Sequence, residues 1–292
     1  MNFQARQDGL GDRPLEILAP PRQSAPVVFS SPHSGDRYPD DFVAASRLDP
    51  VALRRSEDCY VDELFSNAPK FGAPLIRALF PRAYVDVNRE QYELDPDMFR
   101  EPLPPFVTTR SPRISAGLGT LARVVANGAE IYGSRKLSFA DAEKRIISCY
   151  RPYHRALSGL VQETHARFGV CLLIDCHSMP SIQGMSPRMD VVLGDCYGSS
   201  CLSAISDAAE RSLAASGLVV GRNAPYAGGY ITRTYGRPCD GIHALQIEIS
   251  RDLYMNEQDL SRSENFPAIR EAMTDLASTL AEYGRSLTRA AA

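Results

Sequence analysis

Residues Val170–His177 read VCLLIDCH, a short apolar run that leads into a histidine. Apolar runs of about four to eight residues between turn residues are typical of buried strands, so we predict a strand over Val170–Asp175. The same pattern predicts six further strands, at Leu15–Ala19, Pro26–Ser31, Ala73–Leu79, Ala83–Val87, Met189–Gly194 and His243–Ser250. Amphipathic stretches separate several of these runs, and the alternation of strands with helices predicts an α/β fold.

The predicted helices complete the architecture. The longest begins at Ser138, a suitable N-cap, and ends at Gly169, a suitable C-terminal residue, while Pro152 is expected to break or kink it. Other helices are predicted within 59–72, 199–217 and 265–287. We therefore expect a three-layer sandwich in which helices flank a central mixed, largely parallel sheet. In such folds, functional side chains gather beyond the carboxyl ends of the strands.

Two segments do not follow this pattern. Residues 1–14 are predicted to form a flexible N-terminal arm of a single domain that spans 1–292. Residues 94–119 are rich in proline and have little periodicity. An irregular connection of that length inside a compact domain is typically a functional loop or lid.

Composition excludes several classes of function. The net charge is only −3, with acids and bases interspersed, which argues against a nucleic-acid partner. The N-terminal residues lack the layout of a signal peptide, and no apolar run approaches the roughly 20 residues that cross a bilayer. Seven cysteines without a C-x-x-C pair suit a reducing compartment. We expect a soluble cytoplasmic protein, and the sequence does not predict its oligomeric state.

Imidazole chemistry must draw on five histidines. His33 and His177 each follow a predicted strand, where sites form in α/β folds. His154 and His165 fall in the long helical stretch, and His243 opens a strand, so structural roles are expected for these three. A catalytic zinc site commonly combines two or three histidines with a carboxylate and leaves one position for water. His33 and His177 are therefore the candidate metal ligands.

Acidic and basic residues supply candidates for the rest of such a site. Glu57 and Asp58 stand where a loop enters a helix; either can be a ligand or a helix-terminal acid, and spacing does not choose between them. Glu248 alternates with apolar residues on its strand, which fits a solvated strand residue or, beside a metal, a general base. Asn88 and Arg89 end another predicted strand, and arginine suits bidentate capture of a carboxylate, although a surface ion pair has the same pattern.

Seven short motifs run through the chain in a fixed order: FSSPHSGDRYP, SEDCYVDELF, YVDVNRE, RPYHRAL, IDCHSMPS, GGYITRTYG and ALQIEISRDLYMNE. Their order and spacing resemble the N-formylglutamate amidohydrolase family over essentially the whole chain, from Leu15 to the final helix. The arrangement is more distantly similar to zinc carboxypeptidases and aspartoacylase-type deacylases. One departure is conservative, because the family's usual DLNR reads DVNR here.

The resemblance implies a role for particular residues. Zinc would be held by His33, Asp58 and His177, with Asp58 preferred to Glu57 by its distance from the VDEL segment. Glu248 would be the general base. The implied substrate-binding residues are Asn88, Arg89, Tyr230 and Arg233, and His154 also matches the family pattern.

The activity implied is hydrolysis of N-formyl-L-glutamate to formate and L-glutamate, a step of histidine degradation. Its partner would be a small acidic N-acyl amino acid. Alternatives are a zinc deacylase or carboxypeptidase-like amidase for another N-acyl amino acid or short peptide, and a non-catalytic metal- or ligand-binding protein. A cysteine hydrolase built on Cys176 and His177 is disfavoured, because adjacent strand residues point to opposite faces.

Overall fold

The computed structural model of the chain describes residues 13–181 and 188–290. The predicted N-terminal arm falls almost entirely outside these residues. Within them, seven strands form one sheet in the order β1-β3-β2-β4-β7-β5-β6. The strands are β1 (Leu15–Leu18), β2 (Val27–Ser31), β3 (Leu75–Ala78), β4 (Cys171–Met179), β5 (Val191–Gly194), β6 (Val220–Arg222) and β7 (Ile242–Ser250).

The register of the sheet is mixed. Strand β4 pairs in parallel with β2 on one side and with β7 on the other, and β5 pairs in parallel with β6. The join between β7 and β5 is antiparallel. The predicted α/β fold, a mixed sheet flanked by helices, is therefore confirmed.

Helices occupy most of the remaining regular structure. They are α1 (Asp40–Ala45), α2 (Pro50–Arg54), α3 (Val61–Leu64), α4 (Pro112–Ser115), α5 (Phe139–Arg145), α6 (Arg151–Phe168), α7 (Ser203–Ala215), α8 (Tyr230–Tyr235) and α9 (Phe266–Ala290). Across the part of the chain that the structure describes, none of the helices is long and apolar enough to cross a membrane.

The chain divides into two compact units. Among the described residues, the first comprises 13–16, Pro32–Cys59 and Arg77–Ala156, and it contains α1, α2, α4 and α5. The second comprises Ile17–Ser31, Tyr60–Ile76, 157–181 and 188–290. It contains α3, α7, α8 and α9 and the strands of the sheet, apart from the start of β1 and the end of β3.

Three predictions about strands were wrong in detail. No strand forms over Ala83–Val87, where the backbone turns and Asp86 accepts a hydrogen bond from the Asn88 N–H instead. Short polar side chains compete in this way with backbone pairing. Strand β4 continues past its predicted end to Met179, so His177 lies inside the strand. The short strand β6 was not predicted, since three residues carry too little periodicity.

The long helical stretch begins, ends and changes its winding where its capping residues and its proline predict. Ser138 forms a reciprocal capping box with Asp141, and Gly169 follows the last turn with a positive φ of 73°. Between α5 and α6, a π-helical turn spans Ile146–Tyr150, directly before Pro152. Proline cannot donate to the preceding turn and its ring crowds that carbonyl, so the wider turn accommodates it.

The two central strands of the sheet are covered on both faces. All nine residues of β4 and all nine of β7 are buried. The alternation that suggested a half-exposed β7 therefore separates two buried faces, one apolar and one polar. Buried polar groups are costly unless they have partners, so the polar face must hold an organised network.

Candidate active site

His33 and Asp58 lie side by side in the first unit. His33 comes two residues after β2, as predicted, and its backbone carbonyl accepts the Asp58 N–H at 3.0 Å. Both side chains are buried, and His33 Nδ1 is 3.3 Å from Asp58 Oδ2. The backbone contact thus fixes a histidine and a carboxylate next to each other.

Asp86 sets which nitrogen of His33 faces Asp58. Its Oδ1 is 2.7 Å from His33 Nε2, and its Oδ2 accepts from Arg82 at 2.8 Å. Burial opposes ionisation of Asp86, but the charges of Arg82 and Arg89 and the hydrogen bond to His33 hold its pKa well below the ordinary value. An ionised carboxylate only accepts hydrogen bonds, so His33 Nε2 must donate. In the neutral imidazole, Nδ1 then turns its lone pair towards Asp58, which suits a bound cation.

Glu57 belongs to a different network from its neighbour Asp58. Its buried carboxylate accepts two hydrogen bonds from Arg54, each 2.8 Å, and one from Tyr38 at 2.6 Å. The thiol of Cys59 adds a fourth contact at 3.2 Å. Burial is the strongest influence on the pKa of Glu57 and raises it. These partners occupy both oxygens, which gives Glu57 a structural role.

The segment that carries Asn88 and Arg89 is held by several bonds within the first unit. Arg89 donates through Nε to the Leu118 carbonyl at 2.9 Å, and its Nη2 lies 3.8 Å from Asp86. His154 Nε2 lies 2.8 Å from the Val87 carbonyl oxygen. His154 therefore supports the backbone next to Asn88. The bond to Leu118 also anchors the end of segment 94–119, whose closure as a lid stays a prediction.

In the second unit, β4 places Asp175 and His177 on one face. They are two residues apart, and His177 Nε2 lies 3.0 Å from Asp175 Oδ2. Asp175 also accepts from Ser30 at 3.2 Å. Cys176 points to the other face, is fully buried, and burial raises the pKa of its thiol well above the ordinary value. Such a thiol is a poor nucleophile, so the structure also disfavours a cysteine hydrolase mechanism.

Glu248 lies on the buried polar face of β7. It pairs in register with His177 of β4, and both side chains are buried. Gln246 donates to Glu248 Oε1 at 2.8 Å, and the oxygen of the same carboxamide accepts the Gly229 N–H at 2.6 Å. The carboxylate is therefore oriented by a neighbour on its own strand.

Tyr230 and Arg233, from the motif GGYITRTYG, lie on helix α8. Tyr230 is its half-buried first residue, and the exposed Arg233 donates through Nη1 to the Gly228 carbonyl at 3.0 Å. A cationic group thus stands at the surface of the second unit, on a helix next to Gln246.

Three of the predicted residues form a candidate metal site. His33, Asp58 and His177 each offer one ligand atom, and these atoms all lie within 4.8 Å of one another. All three side chains are buried. Two imidazoles and one carboxylate, with Asp86 and Asp175 behind the imidazoles, match the donor set of a catalytic zinc site. The residues present therefore fit a zinc ion.

Sequence reasoning missed three residues of these networks: Asp86, Asp175 and Gln246. Two of them had a usable signal, because Asp175 precedes His177 and Gln246 precedes Glu248 by two residues on a strand. Residues at that spacing share a face. Asp86 lies within a quoted motif, but its contact with His33 spans 53 residues of sequence and leaves no local pattern.

Comparisons with known proteins identify the family of the chain. The family model for N-formylglutamate amidohydrolase matches residues 25–255. The N-formylglutamate deformylase of Pseudomonas aeruginosa is 29% identical over 92% of this chain and 98% of its own length. The enzyme of that name from Pseudomonas putida is also 29% identical, over 80% of this chain and 83% of its own.

Solved structures give the same result. The N-formylglutamate amidohydrolase of Ralstonia eutropha JMP134 superposes with a TM-score of 0.88 at 38% identity, covering 94% of this chain and 99% of that one. A gene product of Agrobacterium tumefaciens has the same fold, with a TM-score of 0.59 at 21% identity over 91% of this chain and 94% of its own. The chain belongs to the N-formylglutamate amidohydrolase family.

Proposed function

We propose that this protein is a zinc-dependent amidohydrolase that converts N-formyl-L-glutamate and water to formate and L-glutamate. The observation that carries the proposal is the buried set of His33, Asp58 and His177, whose ligand atoms lie within 4.8 Å. The family match and the two deformylase relatives support the choice of substrate.

His33, Asp58 and His177 would hold the metal ion. A zinc ion bound there supplies Lewis acidity, which polarises a carbonyl and brings the pKa of a bound water to about 7. Asp86 would fix the imidazole ring of His33, because a ligating histidine is oriented by the group that accepts its second N–H. Asp175, whose Oδ2 lies 3.0 Å from His177 Nε2, would place a negative charge beside the second ring.

Glu248 would move the proton during the reaction. Its carboxylate takes a proton from the attacking water and returns it to the amide nitrogen when the C–N bond breaks. The formyl carbon leaves as formate, and the nitrogen leaves as the amine of glutamate. The bond from Gln246 to Glu248 Oε1 supports this role, because it directs the carboxylate without neutralising it.

Arginines would bind the carboxylates of the proposed acidic substrate. Glutamate presents two carboxylates, and a guanidinium binds a carboxylate through paired hydrogen bonds. We assign Arg89, with Asn88, and Arg233, with Tyr230, to these carboxylates. His154 would act behind Asn88, through the Val87 carbonyl that it contacts.

The test combines metal analysis with a formate-release assay. Glu248→Gln is expected to keep one equivalent of zinc and to lose at least about a hundredfold in kcat, the size of a general-base contribution. Removal of zinc by a chelator should abolish activity, and added zinc should restore it. A Glu248→Gln variant with wild-type turnover, or an active enzyme without any divalent metal, contradicts the proposal.

The substrate is tested separately, with N-formyl, N-acetyl and N-succinyl derivatives of glutamate and of glutamine. The highest kcat/KM is expected for N-formylglutamate. We also propose a cytoplasmic location, which the composition predicts, and a place in histidine degradation, which the family resemblance implies.

A further inference from the structure

An unbroken chain of hydrogen bonds links Arg233 to Glu248 in the second unit. The guanidinium of Arg233 donates to the Gly228 carbonyl at 3.0 Å. The N–H of the same peptide unit, which belongs to Gly229, donates to Gln246 Oε1 at 2.6 Å. Gln246 Nε2 then donates to Glu248 Oε1 at 2.8 Å. One peptide group and one carboxamide therefore separate a cation from a carboxylate.

The direction of each bond is determined by chemistry. The Gly229 N–H can only donate, so the carboxamide of Gln246 must turn its oxygen to Gly229 and its NH₂ to Glu248. The two amide dipoles then point the same way, with a positive charge at one end and a negative charge at the other. At the buried end, between Gln246 and Glu248, hydrogen bonds aligned in this way polarise and strengthen one another, while the Arg233 end is exposed.

The surroundings leave this path little freedom. Gln246 is buried in β7, and Thr232 Oγ1 approaches the same oxygen at 3.4 Å. Gly228 has a φ of +138°, and a Cβ added there would lie 2.5 Å from Cys196 Sγ. Any other side chain at Gly228 would therefore displace the peptide that joins Arg233 to Gln246.

We propose that Gln246 is a positioning residue that couples capture of a substrate carboxylate at Arg233 to the orientation of Glu248. The inference rests on the proposed function, in which Arg233 binds substrate and Glu248 is the base. A substrate carboxylate competes with the Gly228 carbonyl for the guanidinium. Binding therefore changes the strength of the hydrogen bond between Arg233 and the Gly228 carbonyl. Gln246 transmits this change to the carboxylate of Glu248. Glu248 would then reach its reactive orientation only when an acidic substrate is bound.

The experiment is a double-mutant cycle on the zinc-loaded full-length enzyme with N-formylglutamate. Gln246→Met keeps the length of the side chain and removes both bonds. It is expected to lower kcat about 10–100-fold, the range for residues that orient a reactive group. Arg233→Ala should lower kcat at least fivefold and raise KM in the otherwise wild-type enzyme. In the Gln246→Met background it should still raise KM but lower kcat less than twofold, because the path is already cut.

A merely structural role of Gln246 predicts another result. Arg233→Ala would then lower kcat by the same factor in both backgrounds, and this outcome overturns the inference. Gly229→Pro provides a second route if Gln246→Met does not fold. It removes only the N–H, and its φ of −83° is close to the value that proline imposes. Gly229→Pro should lower kcat as Gln246→Met does; less than threefold loss in whichever variants fold also overturns the inference.

The matched control is Gln23→Met. Gln23 donates its carboxamide to Thr164 Oγ1 at 2.9 Å, far from the site in sequence and network, so kcat and KM should stay within twofold. Glu248→Gln tests the proposed function separately from the coupling through Gln246. If it keeps zinc and loses activity while Gln246→Met behaves as wild type, the proposed function stands and the coupling fails. If Glu248→Gln is fully active, the proposed function itself fails.

Discussion

Adjacent acids with opposite roles give the sharpest test of the site. Glu57→Gln and Asp58→Asn are isosteric changes at neighbouring positions, yet they should affect different properties. Glu57 lies in the network with Arg54 and Tyr38, whereas Asp58 lies in the candidate metal site. Glu57→Gln should therefore reduce folding stability and keep the metal, and Asp58→Asn should lose the metal.

The size of the first effect follows from the contacts. Glutamine at position 57 leaves the guanidinium of Arg54, with 13% of its side chain exposed, without the carboxylate that takes two bonds at 2.8 Å. Breaking one side of a buried ion pair costs about 3–5 kcal/mol. That is a large share of the roughly 5–15 kcal/mol that stabilises a folded domain. The urea midpoint should fall by about 1–3 M.

The assay is urea unfolding of zinc-free protein, paired with a zinc titration against a competing chelator. Working without zinc removes the stability that metal binding adds, so the loss in Glu57→Gln reflects the contacts of Glu57 with Arg54, Tyr38 and Cys59. Arg47→Met is the matched control, because Arg47 is 63% exposed and 3.9 Å from Glu130. It should cost less than about 1 kcal/mol. The roles assigned to the two acids would be refuted if Glu57→Gln kept wild-type stability but failed to bind zinc. They would also be refuted if Asp58→Asn bound zinc with wild-type affinity.

Three further outcomes are expected. Asp86→Asn should weaken zinc binding about 10–100-fold in a chelator competition, because it removes the negative charge that accepts the His33 Nε2–H. Asp95→Asn, at a buried acid that caps a turn, should not change the affinity, and equal affinities of the two variants would count against the role of Asp86. Burial lowers the pKa of His243 below 6.5, so the unfolded chain takes up the proton and stability falls below that pH. The free energy of unfolding of His243→Leu relative to wild type, measured in urea, should therefore rise by at most about 1.4 kcal/mol between pH 6.5 and 5.5. A difference in stability that does not change with pH would contradict this. Cys176→Ala should keep kcat within threefold in the formate assay, since its buried thiol lies off the polar face; a hundredfold loss would revive a cysteine mechanism.

Local patterns in the sequence predicted most of the fold. Apolar runs located six of the seven strands that the structure describes, and the capping signals of Ser138 and Gly169 located both ends of the long helical stretch. The failure at Ala83–Val87 has a physical cause. The run looks like a strand, but Asp86 uses its carboxylate to bind a backbone N–H, a histidine and an arginine. Tertiary contacts of one side chain outweighed the propensity of its neighbours.

The candidate site was predicted less completely, because spacing does not report contacts between distant segments. His33 and His177 stood out by their positions near strand ends, but Glu57 and Asp58 remained equivalent until their neighbours were known. Spacing could not separate them, since Arg54 precedes Glu57 and Arg55 precedes Asp58 by the same three residues. Only the observed ion pair of Arg54 with Glu57 distinguishes the two acids.

The polar face of the central strands suggests a general way to find supporting residues. A reactive side chain in a fully buried strand must have a partner, and the nearest position on the same face is two residues away. Asp175 and Gln246 occupy that position for His177 and Glu248. Under the proposed function, exposed cationic groups near this face would set the preference for an acidic substrate. Arg233, on a six-residue helix and joined to Glu248 through Gln246, is the group best placed to connect preference with turnover.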